Sequence, residues 1–272
     1  MRPLSYEYSF DIKPGKPVFI QTAESKARGA EIIKLISEAY SPHEIFHHFK
    51  RRRGHVGALN KHQQSEWFSR LDLADFFGSV TRTKLSRALR GLGFTDRDAF
   101  KMAFDSVVVR GNRKVLPFGF CQSPLLATLA LESSALGQKL IEVSNRGIIT
   151  TVYMDDALLS SDDSASLAGA TDEVIAAAAI AEFALAPDKV TINQPVAEIF
   201  NCNITRGRRV FTPARMEQFV ADLMEANPAG AEAIERYVST ISEAELEHLR
   251  ARLNPPVQGV RWFADAASGE AS

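Results

Sequence analysis

Three aspartates stand where they could bind a divalent cation. Asp72 lies in the segment SRLDLADFF, and Asp155 and Asp156 are adjacent in ITTVYMDDALLS. Adjacent carboxylates among β-branched and apolar residues repel each other unless a cation lies between them. Two divalent cations bridged by carboxylates from neighbouring strands are a common arrangement for phosphoryl transfer, and oxygen ligands suit Mg²⁺. A second interpretation stays open, in which the Asp155–Asp156 pair only forms a turn.

The flanking pattern predicts short strands that would position these aspartates. Residues 67–73 are predicted as a buried strand, and residues 148–153 and 157–160 as two strands that meet at the acidic turn. Further strands are predicted at 196–205 and 210–211, and a hairpin at 107–116 around Gly111 and Asn112.

Helical spacing separates these strands. Helices are predicted at 30–40, 81–92, 95–104, from Pro124 to about Val143, at 164–185, and at 213–253 with a break at Asn227-Pro228. Residues 1–30 alternate only weakly and contain Pro14 and Pro17, which predicts a loosely ordered arm. The sum is a mixed α/β body with a helical C-terminal end.

Composition and charge exclude several classes of protein. The chain has 272 residues, of which 45% are hydrophobic and 24% charged, so it is not a disordered chain. Its two cysteines exclude a disulfide framework, and its longest apolar stretch is too short to span a bilayer, so we expect a cytoplasmic protein with no membrane partner. Residues 1–120 carry a net charge of +9 and residues 121–272 a net charge of −10, which predicts an N-terminal half that faces a polyanion.

Several segments resemble the motifs of the reverse transcriptases, in that family's order. Tyr153-Met154-Asp155-Asp156 resembles the active-site hairpin, and residues 72–79 (DLADFFGS) resemble the first catalytic motif. Residues 116–124 (LPFGFCQSP) resemble the motif that opens a palm helix, residues 186–189 (APDK) a later motif with a lysine, and residues 200–204 lie where a primer-grip hairpin would. The resemblance covers residues 54–204 and is stronger to the bacterial retron-related and "unknown group" lineages, which include defence-associated and abortive-infection enzymes.

The resemblance implies the fold and the domain organisation. It implies an α/β (α+β) right-hand polymerase fold, with fingers and palm around an antiparallel palm sheet and a short helical thumb-like region. The expected divisions are an N-terminal arm and fingers at 1–70, a palm at 71–205 with a fingers insertion at about 81–116, the thumb-like region at 206–253 and a tail at 254–272.

The resemblance also implies roles for residues around the aspartates. Asp72 and Asp155 would bridge two Mg²⁺ ions, for which Mn²⁺ can substitute, with support from Asp156 and from the position of Leu73. Lys189 would protonate the leaving pyrophosphate or act as a charge clamp. Phe77 would exclude a 2′-hydroxyl, and Phe118 replaces the glutamine that commonly contacts the nucleotide sugar. The expected nucleotide-binding residues are Asp75, Phe76, Phe77, Phe118, Gly119 and Gln122.

Basic residues supply the expected contacts with nucleic-acid phosphates. They are Arg51, Arg52 and Arg53, then Arg87 and Arg90 on a helix face, and Arg206, Arg208 and Arg209 after the primer-grip position. The expected function is an RNA-directed DNA polymerase that uses deoxynucleotides and a structured non-coding RNA template to make DNA in anti-phage defence. Three alternatives stay open: template-independent synthesis, protein-primed synthesis and a non-catalytic polymerase-fold scaffold. A second polymerase subunit or self-association is a further expected partner.

Overall fold

The computed structural model describes residues 5–48 and 54–253, in which short strands alternate with helices. The strands are β1 (Tyr6–Lys13), β2 (Lys16–Gln21), β3 (Trp67–Asp72), β4 (Val108–Arg110), β5 (Arg113–Val115), β6 (Ile149–Tyr153), β7 (Asp156–Ser161), β8 (Thr191–Gln194), β9 (Ala197–Ile199), β10 (Cys202–Thr205) and β11 (Arg208–Phe211). The helices are α1 (Ala23–Ala39), α2 (Gly54–His62), α3 (Phe76–Ser79), α4 (Arg82–Gly91), α5 (Asp96–Asp105), α6 (Ser123–Glu132), α7 (Ala135–Asn145), α8 (Ser164–Ile180), α9 (Pro213–Glu225), α10 (Pro228–Ile241) and α11 (Glu243–Leu253). The chain divides into two compact units, of which the first ends at Arg209 and the second begins at Val210.

The central sheet of the first unit has four antiparallel strands in the order β6, β7, β3, β8. In its register Asp72 of β3 lies opposite Asp156 of β7, and Tyr153 of β6 lies opposite the same Asp156. The mixed α/β class with an antiparallel sheet is therefore confirmed, as are the predicted strands that flank the aspartates.

Helices α6, α7 and α8 supply a large share of the core that packs on the sheet. Residues 125–131 of α6 are all buried, so this helix is enclosed on all sides. Helix α8 packs on β3 and β7, and α7 packs on α8 and β6. Their buried side chains join those of the sheet in one continuous apolar cluster, which includes Leu71, Leu126, Leu140, Leu159 and Val174.

The predicted loosely ordered arm is wrong, because residues 6–21 form the hairpin β1–β2. Its turn contains Gly15 at φ +76°, a conformation that glycine adopts without strain. The hairpin is anchored in the core by Phe19, whose backbone N–H donates to the carbonyl of Phe118 at 2.8 Å. Helix α1 also begins earlier than predicted, after Thr22, whose hydroxyl accepts a hydrogen bond from the N–H of Ser25 at 3.1 Å.

The predicted long helix from Pro124 to Val143 is two helices, which meet at Ser133 and Ser134. The hydroxyl of Ser134 accepts from the N–H of Gly137 at 3.2 Å and so caps α7. A Cβ on Gly137 would lie 2.2 Å from the carbonyl oxygen of Leu131, so only glycine fits this close crossing. Helix α8 also ends before its predicted end, and Glu182 follows it in the left-handed conformation at φ +56°.

The second unit contains helices α9, α10 and α11, which confirms the predicted helical pattern and its break before Pro228. The rings of Phe211, Phe219 and Tyr237 pack together in it, with centroids 5.0 to 5.9 Å apart. The buried carboxylate of Glu245 accepts a hydrogen bond from the N–H of Phe211 at 2.8 Å. Within residues 5–48 and 54–253, no helix has the length and apolar character needed to cross a membrane.

Candidate active site

The predicted carboxylates meet at one end of the central sheet. Asp72 is the last residue of β3, Asp156 is the first residue of β7, and Asp155 lies in the turn between β6 and β7. The tight turn is made by Met154 at φ +59°, and the N–H of Leu73 donates to the carbonyl of Asp155 at 2.8 Å. This bond joins the end of β3 to the turn, so the backbone holds Asp72 and Asp155 side by side.

Two positively charged side chains, those of Lys189 and Arg70, contact these carboxylates. The Nζ of Lys189 donates to Oδ2 of Asp72 at 2.8 Å, and this hydrogen bond raises the pKa of Lys189. The Nε and Nη2 atoms of Arg70 donate to Oδ1 of Asp156 at 3.1 and 2.8 Å. The same Nη2 lies 3.7 Å from Oδ2 of Asp72, so Arg70 faces both aspartates.

Burial makes ionisation of two of the aspartates less favourable. It raises the pKa of Asp155 above its ordinary value, and the nearby charge of Asp72 raises it further. Burial also raises the pKa of Asp156, although Arg70 opposes that shift. The ionised carboxylates therefore lie in a place that favours an additional cation.

The donor set fits Mg²⁺, which binds proteins through one or two carboxylates and takes its other oxygens from water and phosphate. Asp72 and Asp155 both line a cavity of about 430 Å³, and Leu73 lines it between them. Asp156 is held by Arg70 instead and does not line this cavity. Within the part of the chain that the structure describes, no group of three or more histidine, cysteine, aspartate and glutamate side chains is arranged to hold a metal ion. The two aspartates are thus the candidate ligands.

The same cavity has an aromatic wall. Phe76, Phe77 and Phe118 line it, and the ring centroids of Phe77 and Phe118 are 5.5 Å apart. Phe118 is exposed, so its ring presents hydrocarbon to the cavity where a glutamine would present a hydrogen-bonding amide. Any ligand beside Asp72 therefore meets an apolar surface on this side.

Asp75 lies at the rim of the cavity and is bound to an arginine. Its backbone is left-handed at φ 44°, and both of its carboxylate oxygens accept from Nη1 of Arg110, at 2.7 and 2.8 Å. The Nη2 of Arg110 donates to the carbonyl of Gly15 at 3.1 Å. Arg110 therefore ties the tip of the β1–β2 hairpin to the segment that follows Asp72.

Two of the predicted nucleotide-binding residues lie outside the cavity. Gln122 is buried, and its side chain bonds to those of Gln21 at 3.2 Å and Ser106 at 3.4 Å. Gly119 has φ +109°, and a Cβ there would lie 2.4 Å from the carbonyl oxygen of Phe19. Both residues hold the β1–β2 hairpin near Phe118 and do not reach the space beside Asp72.

The predicted phosphate-binding arginines are dispersed. Arg51, Arg52 and Arg53 lie outside the described residues. Arg206 pairs with Glu66, and Arg209 donates to the amide oxygen of Asn60. Arg208 is exposed. On α4, Arg90 pairs with Asp96 at 3.1 Å, whereas Arg87 lines a different cavity.

Sequence reasoning missed three cations near the carboxylates: Lys16, Arg70 and Arg110. Lys16 and Arg110 line the cavity from the hairpins β1–β2 and β4–β5. Arg70 had a local signal, because residues i and i+2 of a strand share a face and Arg70 precedes Asp72 by two positions. Lys16 and Arg110 had none, since only the tertiary fold brings their hairpins to the cavity.

Comparisons with known proteins identify the family of the chain. The family model described as "Reverse transcriptase (RNA-dependent DNA polymerase)" matches residues 20–204. No curated protein matches the chain. Among solved structures, a Candida albicans telomerase in complex with a telomeric RNA fragment is similar at 8% identity and a TM-score of 0.50, over 84% of this chain and 48% of that chain. A foamy viral protease-reverse transcriptase in complex with double-stranded DNA is similar at 16% identity and a TM-score of 0.47, over 75% of this chain and 33% of that chain.

The chain thus spans about half of the telomerase chain and a third of the viral chain. The likeness to telomerase concerns the fold alone, and together with the family match it confirms the predicted polymerase fold. The family model covers well over half of the sequence and includes the strands that carry Asp72, Asp155 and Asp156. The chain belongs to the reverse transcriptase family.

Proposed function

We propose that the chain is an RNA-directed DNA polymerase whose active site is the cavity beside Asp72 and Asp155. One observation carries the proposal: the carboxylates of Asp72, at the end of β3, and of Asp155, in the turn between β6 and β7, line a single cavity with an aromatic wall. Membership of the reverse transcriptase family supports the reaction class.

The charged residues in and beside the cavity have proposed tasks. Asp72 and Asp155 would hold two Mg²⁺ ions, with the backbone of Leu73 beside them, and bound Mg²⁺ would supply activation of an attacking hydroxyl and neutralisation of phosphate charge. Mn²⁺ has the same preference for oxygen ligands. Arg70 keeps Asp156 ionised and fixes it next to Asp72. Lys189 contacts Asp72 and holds a proton that it can donate to a leaving pyrophosphate.

The walls of the cavity select the nucleotide. Phe77 lines the cavity, and from the family resemblance we propose that its ring excludes a ribose 2′-hydroxyl and so favours deoxynucleotides. Lys16 and Arg110 bring positive charge to the cavity, where phosphates of the incoming nucleotide would bind. Asp75 holds Arg110 there through its carboxylate, while Gly119 and Gln122 act by supporting the hairpin.

The biological setting is also a proposal. The motifs at residues 72–79 and 116–124 support a place among the bacterial retron-related and "unknown group" enzymes. From that lineage we infer a cytoplasmic protein in anti-phage defence that copies a structured non-coding RNA. The net charge of +9 in residues 1–120 supports contact with RNA, and the exposed Arg208 is the best placed of the three arginines near β11 for primer phosphates.

Primer extension with defined templates tests the proposal. The purified chain is given Mg²⁺, deoxynucleotides and a DNA primer with an RNA template, a DNA template or no template, and the products are sequenced. We expect products complementary to the RNA template. Products of random sequence in all three reactions would establish template-independent synthesis instead. Folded protein that makes no product, even with the RNA that co-purifies with it, would favour the scaffold interpretation.

A further inference from the structure

A second cavity lies apart from the proposed active site. It has a volume of about 600 Å³ and lies between α4, the junction of α6 with α7, and the end of α8. It shares no lining residue with the cavity beside Asp72. Its size is within the range of sites for small organic ligands.

Two cations of α4 enter this second cavity. Lys84 is partly buried, and its Nζ donates to the carbonyl of Glu182 at 2.9 Å and lies 4.4 Å from the ring centroid of Phe183. Burial lowers the pKa of Lys84, and the charges of Arg113 and Arg87 lower it further, against the effect of the Glu182 carboxylate at 3.9 Å. Lys84 and Arg87 therefore both line this cavity, with Glu182 beside Lys84.

Arg87 differs from the other arginines of its helix. The guanidinium of Arg82 lies 5.0 Å from the ring centroid of Phe100, and that of Arg90 pairs with Asp96 at 3.1 Å. In contrast, Arg87 forms no ion pair with any carboxylate in residues 5–48 and 54–253. An exposed guanidinium that lines a cavity beside a lysine can bind phosphate oxygens through two hydrogen bonds.

The remaining wall suits an organic group attached to a phosphate. Ala88, Ala130 and Ala135 form small apolar surfaces, and Ile180 leaves 76% of its area exposed at the edge. Thr83 adds a hydroxyl. A cavity lined by two cations and by small apolar residues matches a ligand that carries both a phosphate and a flat apolar group.

We propose that this cavity binds a free mononucleotide, with its phosphates on Lys84 and Arg87 and its base against Ile180. The cavity also has a physical connection to Asp72. The chain continues from Glu182 to Ala184, whose carbonyl accepts from the N–H of Ala74 at 2.8 Å, and the N–H of Ala186 donates to the carbonyl of Asp72 at 2.9 Å. If the proposed polymerase activity holds, the bound nucleotide alters its rate through this segment.

Binding of fluorescently labelled ATP, measured by anisotropy in EDTA, tests the site independently of polymerase activity. We expect Arg87→Gln to weaken binding at least about tenfold, the effect of losing a charged hydrogen bond. Arg90→Gln is the matched control, since it removes an exposed arginine of the same helix outside the cavity. Lys189→Met, which alters the proposed active site, should leave this binding unchanged.

Two results would overturn the inference. Equal affinity of Arg87→Gln and the unaltered chain would show that the cavity does not bind the nucleotide, and loss of ATP binding in Lys189→Met alone would place the nucleotide beside Asp72. Binding of a labelled 12-nucleotide RNA distinguishes a site for a free nucleotide from a site for the phosphates of a nucleic-acid backbone. If Arg87→Gln weakened RNA binding but not ATP binding, Arg87 would contact the nucleic-acid backbone and the mononucleotide site would be refuted.

Discussion

Replacing Arg70 by methionine should leave the carboxylate of Asp156 without its cation. Both side chains are only 17% exposed, and Nη2 of Arg70 lies 2.8 Å from Oδ1 of Asp156. Methionine keeps most of the apolar stem, so the change removes mainly the charge and the hydrogen bonds. Asp72 and Asp155 are close by, and their charges make the uncompensated carboxylate still less favourable.

The geometry sets the size of the effect. At an effective dielectric constant of about 20, charges at this separation attract by about 6 kcal/mol, which is an upper bound. Removing one partner of a buried pair costs about 3–5 kcal/mol. Because water reaches this pair in part, we expect Arg70→Met to lower the free energy of unfolding by about 3 kcal/mol, near the bottom of that range.

Urea denaturation followed by circular dichroism, in EDTA at pH 7, measures this change. The double variant Arg70→Met/Asp156→Asn should recover most of the loss, because the orphaned charge is gone. Arg90→Met is the matched control, since its pair with Asp96 lies on the surface and contributes little. An Arg70→Met chain as stable as the unaltered chain, or a double variant no more stable than Arg70→Met, would refute the reasoning.

Three further predictions concern stability, acid sensitivity and substrate choice. Burial raises the pKa of Asp155 above its unfolded value, so its ionised form opposes folding of the metal-free chain. Asp155→Asn should therefore increase the free energy of unfolding by about 1 kcal/mol in EDTA, and a decrease would contradict this. Burial lowers the pKa of His62 from 6.5 to about 3, so between pH 7 and pH 5 the unfolded chain binds a proton at this histidine and the folded chain does not. This difference should lower the free energy of unfolding by about 2 kcal/mol over that pH range. Urea titrations at both pH values should show the loss in the unaltered chain and not in His62→Gln. Phe77→Val should incorporate ribonucleotides in a single-nucleotide extension assay, whereas the control Phe100→Val, which replaces an exposed ring on α5, should not. Unchanged discrimination between deoxynucleotides and ribonucleotides in Phe77→Val would show that Phe77 does not exclude the 2′-hydroxyl.

Most of the central sheet could be predicted because its signals are local. The apolar runs around Asp72 and around the Asp155–Asp156 turn predict strands, and pairing of those strands brings the carboxylates together. The break in the palm helix also had a local signal, since Ser134 and Gly137 have the types of a helix cap and a close crossing. The continuous apolar run across this segment obscures that signal, and the predicted long helix was therefore wrong.

The remaining features depend on contacts between distant parts of the chain. The hairpin at residues 6–21 is held by Phe19, whose backbone N–H bonds to the carbonyl of Phe118 about a hundred residues away. Because the local sequence alternates only weakly, it predicted a loosely ordered arm instead of this hairpin. Burial of Gln122 follows from the approach of α1, where a Cβ on Gly29 would lie 2.4 Å from its side-chain oxygen. Neither contact leaves a trace in the local sequence pattern.

The most direct test of the central claim compares two aspartates in one incorporation assay. Asp155 lines the cavity beside Asp72, while Asp188 lies next to Lys189 and does not line it. With Mg²⁺, an RNA template and labelled deoxynucleotides, we predict that Asp155→Asn reduces incorporation by about a thousandfold or more, since it removes a charge that binds the metal, while Asp188→Asn stays within about twofold of the unaltered chain. Full incorporation by a folded Asp155→Asn chain would contradict the assignment of this cavity as the active site.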